Sequence, residues 1–190
     1  MKNMFKALSL LLVLIVCLAS CDTQSSYQTH LDTVNSLLEY YFPSYSITVT
    51  VESDNWHKIT EKYTVRTEGY ERFVDYRVEK LNAFETTNSG IVAPEEYITV
   101  TEGTVSIVDV NNTDFSVPEF DFSKNSLKNI NYSDGILKAN IISLSSFMDM
   151  SDDGSQGTVE VSFDNETLNY ILVCYTTTNG NFVVIQYTFN

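Results

Sequence analysis

From Tyr27 the apolar residues advance by steps of four and three, through Leu31, Val34 and Leu38 to Tyr41, and after Pro43 the step drops to two. Alternating steps of four and three put side chains on one stripe of a helix, whereas steps of two put them on one side of a strand. The spacing therefore predicts an N-terminal helix, capped by Ser25 or Ser26 and stopped by Pro43. A half-buried strand follows, with Ile47, Val49 and Val51 alternating with Thr48, Thr50 and Glu52.

Three hairpins are predicted next. Strands at about 56–67 and 70–81 meet at Glu68-Gly69. A two-residue loop there sets Arg66 opposite Glu71, Lys62 opposite Asp75 and Lys58 opposite Glu79, with Tyr63 opposite Val74 and Ile59 opposite Val78. A three-residue loop would set Lys62 against Val74, so cross-strand pairing favours the tighter turn. Glu102-Gly103 is predicted to turn a second hairpin, with Val100 opposite Val105 and Ile98 opposite Ile107. Asn179-Gly180, a strong turn signal, is predicted to turn the third, pairing Thr176 with Val183, Cys174 with Ile185, Leu172 with Tyr187 and Tyr170 with Phe189. Its other face carries Ile171, Val173, Tyr175, Phe182 and Val184, so both faces need cover by helix, loop or an apolar ligand.

The intervals between hairpins read as a connection at 82–94 and an irregular stretch at 111–135 in which Ser123–Lys128 could make a short capped helix. A strand at Ile136–Ile142, a helical turn near Ser145–Met150, an acidic loop at Ser151–Gly157 and a strand at Thr158–Phe163 complete the series. Nine candidate strands, one N-terminal helix and no βαβ alternation predict an α+β fold, mainly β, built on an antiparallel sheet.

Ahead of this domain stand Lys2 and Lys6, an apolar run from Ala7 to Leu18 interrupted only by Ser9, and then Leu18-Ala19-Ser20-Cys21. A basic start, a short apolar run and small residues before the cleavage point have the layout of a secretory signal peptide. The run is shorter than the roughly 20 residues that span a bilayer. The four residues ending at Cys21 resemble the lipobox of bacterial lipoproteins. That resemblance implies diacylglyceryl transfer to Cys21, removal of residues 1–20, a lipidated tether at 21–26 and one domain at 27–190. Asp22–Ser26 would span at most about 17 Å when extended, so the domain is expected to sit close to a bacterial cell membrane, outside the cytoplasm. The order of helix and hairpins in the mature chain also resembles the half-barrel of lipoprotein-carrier (LolA-like) and related lipid-binding lipoproteins. This second resemblance implies a curved sheet with the N-terminal helix packed on one face, able to hold an acyl chain.

Charge narrows the partners. The chain carries 25 acidic and 11 basic residues; loss of Lys2 and Lys6 leaves nine basic residues against the same 25 acids, a net charge of −16. Such a polyanion repels nucleic-acid phosphates and anionic headgroups, so no nucleic acid is expected and membrane attachment falls to the lipid on Cys21. Of the three cysteines, Cys17 leaves with the leader and Cys21 carries the lipid, so Cys174 has no disulfide partner and reads as a small buried hydrophobe.

Chemistry-bearing motifs are sparse. Neither a Gly-x-Ser-x-Gly elbow nor a His-Glu-x-x-His, Cys-x-x-Cys or phosphate-cradling Gly loop occurs, and His30 and His57 are the only histidines. No catalytic residue is assigned, and the chain is not expected to be an enzyme. From Asp149, oxygen side chains fall at positions 1, 3 and 5 (Asp149, Ser151, Asp153), with Gly154 at 6 and Glu160 at 12, the spacing of an EF-hand-like loop. Asp149, Ser151, Asp153 and Glu160 are thus candidate calcium ligands, although Ser151 replaces an acid and Glu160 falls in a strand; no cofactor is otherwise required. The function expected first is a membrane-anchored, non-catalytic binding module for an apolar or lipid ligand, held by Leu172, Cys174, Ile185 and Tyr187. The alternative is a surface interaction or adhesion lipoprotein with a filled core, and a hydrolase is the distant third. Lipidation is checked by feeding cells an alkyne fatty acid: Cys21→Ala is expected to stay uncleaved and unlabelled, and label retained on that variant would exclude the lipobox reading.

Overall fold

The computed structural model describes residues 27–40, 42–53, 58–68, 71–82, 97–107, 115–148, 150 and 157–189. Helix α1 occupies 27–38. Strands β1 (Ser44–Glu52), β2 (Lys58–Glu68), β3 (Glu71–Asn82), β4 (Tyr97–Ile107), β5 (Leu127–Ser133) and β6 (Ile136–Ile141) follow, then the short helix α2 (Leu144–Met148) and strands β7 (Gly157–Phe163), β8 (Leu168–Thr176) and β9 (Phe182–Phe189). All nine strands form one sheet in the order β4-β3-β2-β1-β9-β8-β7-β6-β5, and every neighbouring pair is antiparallel. The sheet is curved and unclosed, with α1 packed against it, as the mainly β, antiparallel reading expects. The β1–β9 seam, running from Tyr45↔Phe189 to Glu52↔Phe182, joins a wing made of β1–β4 to a meander made of β5–β9.

Alternation along each strand gives the sheet one apolar face. Tyr45 and Ile47 of β1, Val65 of β2, Val74 of β3, Val159 and Val161 of β7, Ile171 and Val173 of β8, and Ile185, Tyr187 and Phe189 of β9 are all buried on it. Its cover comes from Leu31, Val34 and Leu37 of α1, from Phe120 and Phe122, and from Leu144, Phe147 and Met148 of α2. The helix stripe is rotated from its expected position, because Leu37 is buried where the spacing predicts Leu38, and Leu38 is half-buried. Tyr41 lies outside the described residues. The helix also stops earlier than Pro43: Glu39 N–H and Tyr40 N–H donate to Ser36 O and Leu37 O, each bond 3.3 Å, the three-residue spacing of a tightened last turn.

The cover is tied down by a buried polar knot. Ser126, 1% exposed, donates its hydroxyl to the Asp121 carboxylate and lies 3.3 Å from Ser146 O; Ser123 donates to the same carboxylate at 3.0 Å. Asp121 N–H donates to Phe147 O at 2.8 Å and Ile142 N–H to Ser126 O at 2.8 Å, so the 121–127 turn is fastened to α2. A buried hydroxyl costs free energy unless it is bonded in this way. Ser123–Lys128 therefore makes a single turn and enters β5, instead of the short helix expected there.

All three hairpin readings need correction. In β2–β3, Glu68 faces Glu71, Lys62 faces Arg77 and Lys58 faces Leu81, a shift of two residues from the expected register that keeps each residue on its face. This register stacks Val65 on Val74, both fully buried, and Tyr63 on Tyr76. Burying a Val is worth about 1.5–3 kcal/mol, an exposed ion pair about 0–1, so the apolar row decides. The cations find partners elsewhere: Lys58 on Glu52 at 2.7 Å, Arg77 on Glu79 at 2.7 Å and Glu102 at 3.2 Å, and Arg66 on Glu68 and, at 3.4 Å, Asp75.

No turn exists at Glu102-Gly103, which lie in the middle of the continuous strand β4. The glycine serves the neighbouring strand: the Tyr76 ring lies over Gly103, where an added Cβ would fall 2.7 Å from the phenol oxygen. In the last hairpin the loop has three residues, Thr178 to Gly180, closed by Thr177 N–H to Asn181 O at 2.8 Å, with Gly180 at φ 85°. That single extra residue moves the register by one, so Cys174 faces Val184 and Val173 faces Ile185. Among the described residues the count of nine strands survives because two expected strands merge in β4 while β5 arises in the stretch read as irregular. Truncating Phe147, fully buried against Phe120 and Phe122, is expected to cost about 3–5 kcal/mol in urea unfolding. The exposed Val100→Ala is expected to stay within about 0.5 kcal/mol.

Candidate functional site

The space between α1, the 115–122 segment and the sheet is filled by rings. Phe120 meets Phe122, Phe147 and Tyr187 at centroid distances of 6.0, 5.5 and 5.4 Å, and Phe122 meets Phe147 edge-on at 5.2 Å. These are the offset and edge-to-face separations of a packed aromatic core. The concave features border this core and open to the surface, and three of them converge on Tyr40.

Tyr40 follows the last turn of α1 and is 68% exposed. On one side a groove of about 480 Å³ runs between α1 and the 116–120 segment, with Leu38, Phe42, Tyr45, Val117 and Phe120 as apolar lining and Glu39, Arg72 and Glu119 as charged lining. On another, a groove of about 300 Å³ is lined by Leu37, Phe42, Leu168 and Phe189 with Glu166. A third, about 600 Å³, follows the polar flank of α1 past Asp32 and Ser36 to Asn165 and Glu166.

The walls are held by identifiable contacts. The Phe42 ring leans on Phe189 at 4.4 Å. Tyr45 donates its hydroxyl to Phe115 O, and the Phe115 ring packs on Tyr63 at 4.8 Å. Phe115 has φ 61°, a conformation that a bulky side chain adopts only under constraint; those two contacts supply it and aim the following residues along the groove. Asn35 Nδ2 donates to Phe122 O at 3.0 Å, which fixes the segment to α1 at its far end.

The ligand residues expected from the sequence do not share a face. Leu172 and Cys174 lie on the outer face of β8, while Ile185 and Tyr187 are in the core, 7% and 6% exposed. Burial, then the neighbouring Tyr175 and Tyr45, push the Tyr187 phenol up to about 12. Cys174 is half-buried rather than enclosed, beside a groove on the outer face that also takes in Thr158 and Phe182. Desolvation raises its thiol above the ordinary range, against a smaller opposing effect of a hydrogen bond with Thr158.

Cys21, Asp149, Ser151 and Asp153 lie outside the described residues, as does His57. Glu160, the remaining candidate calcium ligand, projects from the outer face of β7, where Lys138 Nζ approaches to 2.7 Å and Tyr170 donates its hydroxyl at 2.5 Å. The Lys138 hydrogen bond, then that from Tyr170, holds its carboxyl below the usual range. His30 stacks on Tyr132 at 3.7 Å. Among the described residues no three His, Cys, Asp or Glu side chains cluster as a metal site would require, and no helix is long and apolar enough to cross a membrane.

The Tyr40 surface escapes the helical periodicity, which selects Tyr41 for the stripe. The run Tyr40-Tyr41-Phe42 directly before Pro43 is the available signal, since three consecutive aromatics cannot all face one core from a helix end.

No family model and no curated protein matches the chain. Among solved structures it is similar to a redesigned β-barrel, mFAP1, bound to DFHBI, at 10% identity over 75% of this chain and 91% of that one, with a TM-score of 0.20. It is also similar to a de novo designed fluorescence-activating β-barrel, at 7% identity over 80% and 95% of the two chains, with a TM-score of 0.23. Likeness at those scores carries no weight for ligand or function.

Because a raised pKa leaves less thiolate at any given pH, and thiolate is the reactive form, Cys174 in the folded protein is expected to react with iodoacetamide more slowly than free cysteine at pH 8. Its rate is expected to keep climbing above pH 9; equal rates at pH 8 would contradict its desolvation.

Proposed function

We propose that this protein is a non-catalytic, lipid-anchored extracytoplasmic interaction module that engages a protein partner with the surface around Tyr40. One observation carries the reading. The face of the sheet that an acyl chain would occupy is filled by Phe120, Phe122 and Phe147, whereas Tyr40 stands exposed where three grooves converge. Small-molecule sites bury most of their ligand in a concave pocket; grooves open along their length around a protruding aromatic suit an extended protein segment, and exposed Tyr side chains are favoured anchors at such interfaces. Arg72 gives the largely acidic rim one cationic contact.

The anchor follows from the lipobox-like Leu18-Ala19-Ser20-Cys21. A tether of about 17 Å and a twelve-residue helix about 18 Å long together keep Tyr40 within roughly 35 Å of the bilayer, in reach of other membrane-bound proteins.

A photo-crosslinking amino acid at position 40 of the full chain in its membrane is expected to give a discrete protein adduct that the same group at position 188, on the outer face of β9, does not. Tyr40→Ala is expected to weaken capture of that partner by roughly thirtyfold, about 2 kcal/mol, with an unchanged melting temperature. Absence of an adduct at position 40 would refute the reading. A lipid that co-purifies with the wild type, together with no protein adduct, would replace it with the apolar-ligand reading.

A further inference from the structure

The two edges of the sheet are built differently. Edge β5 is seven residues long, carries Asn129 at φ 54° and breaks register between Lys128 and Asn131. Bulges, short length and lysines are how edge strands are kept from pairing with other chains. Edge β4 has none of these: eleven residues, Tyr-Ile-Thr-Val-Thr-Glu-Gly-Thr-Val-Ser-Ile, pair without interruption on β3, with no Pro, Lys or Arg and one charge, Glu102. Val100 and Val105 on it are 44% and 47% exposed.

Charge distribution says which partner can approach. Strands β2, β3 and β4 hold six basic and six acidic residues and are neutral together, while the whole chain carries −14. Two copies of a polyanion repel each other, and that repulsion is weakest where neutral strands such as these meet. The irregular β5 edge is a poor acceptor for β4 head to tail, which disfavours the open, filament-forming arrangement and favours the closed two-fold one. We propose that β4 pairs antiparallel with β4 of a second copy, continuing the sheet through a symmetric dimer.

Symmetry fixes the register. Two identical strands pair antiparallel only about an axis perpendicular to the sheet, which keeps each face on its own side, so directly facing residues are both odd-numbered or both even-numbered. Centring the pair on Glu102 opposes two carboxylates, and centring it on Thr101 sets Glu102 against Val100. Centring it on Gly103 sets Glu102 opposite Thr104, Thr101 opposite Val105 and Thr99 opposite Ile107, and overlaps residues 99–107 of both copies. The Tyr76 ring lying over Gly103 favours the same choice: two facing glycines leave room for both Tyr76 rings at the axis, where any side chain would collide with them.

The test is oxidative cross-linking of the full chain in its membrane, on a Cys174→Ala parent. Thr101→Cys combined with Val105→Cys, both at exposed positions, is expected to give a covalent dimer well above the parent, and Glu102→Cys little. In detergent, the purified wild type is expected to scatter light with twice the monomer protein mass, falling to half in the Val100→Lys, Val105→Lys double variant with its β-sheet circular dichroism at 25 °C kept. A wild type of monomer mass, a dimer unaffected by the two lysines, or stronger cross-linking through Glu102→Cys would overturn the proposal.

Discussion

Phe120, Phe122 and Phe147 settle what kind of body this sheet can be. A curved antiparallel sheet with one apolar face must bury that face, and it can do so against protein or around a ligand. Here α1 contributes only three buried residues, Leu31, Val34 and Leu37, too few to cover nine strands. The remaining cover comes from the chain between β4 and β5 and from α2, and the Asp121–Ser126 knot holds those two pieces at a fixed distance from each other. Remove the knot and the rings lose their orientation; remove the rings and the sheet opens to water. The interior is thus filled by the chain itself, and the open grooves lie at its rim.

That division explains why the rim carries unusual features. Phe115 holds a left-handed backbone conformation, and Tyr40 exposes two-thirds of its surface. The positive φ of Phe115 costs free energy that the well-packed interior has to offset; the exposure of Tyr40 costs none, because the side chain meets water in the unfolded chain as well.

Much of the fold was legible. Period-two alternation placed eight of the strand segments near their observed positions and assigned Val159, Val161 and Phe163 inward, as found. Registers were less legible, for a reason visible in β2–β3: charges on the outer face suggest one pairing but contribute little, while the decisive Val65–Val74 contact lies on the other face, where both side chains join the buried core. At Glu102-Gly103 the local signal for a turn is overruled by a contact with Tyr76, twenty-seven positions earlier in the chain. At Asn179-Gly180 the turn was right and its length wrong by one, enough to separate Leu172 and Cys174 from Ile185 and Tyr187. The rim around Tyr40 was not legible at all, because it is assembled from α1, the start of β1, the 116–120 segment and the β7–β8 turn, which no short window contains.

The seam between β1 and β9 also orders events in time. As the chain is made, β1 can take β2 as a partner at once, but its other edge waits for β9, and 130 positions separate Glu52 from Phe182. Closing so long an interval is slow because its entropy must be lost before any contact forms. Throughout that wait Tyr45, Ile47 and their neighbours stand beside an unpaired strand edge, the condition in which β-rich chains capture the wrong partner. The half-made wing is the species in greatest need of a holding chaperone, and its danger ends only when the eight residues of β9 arrive.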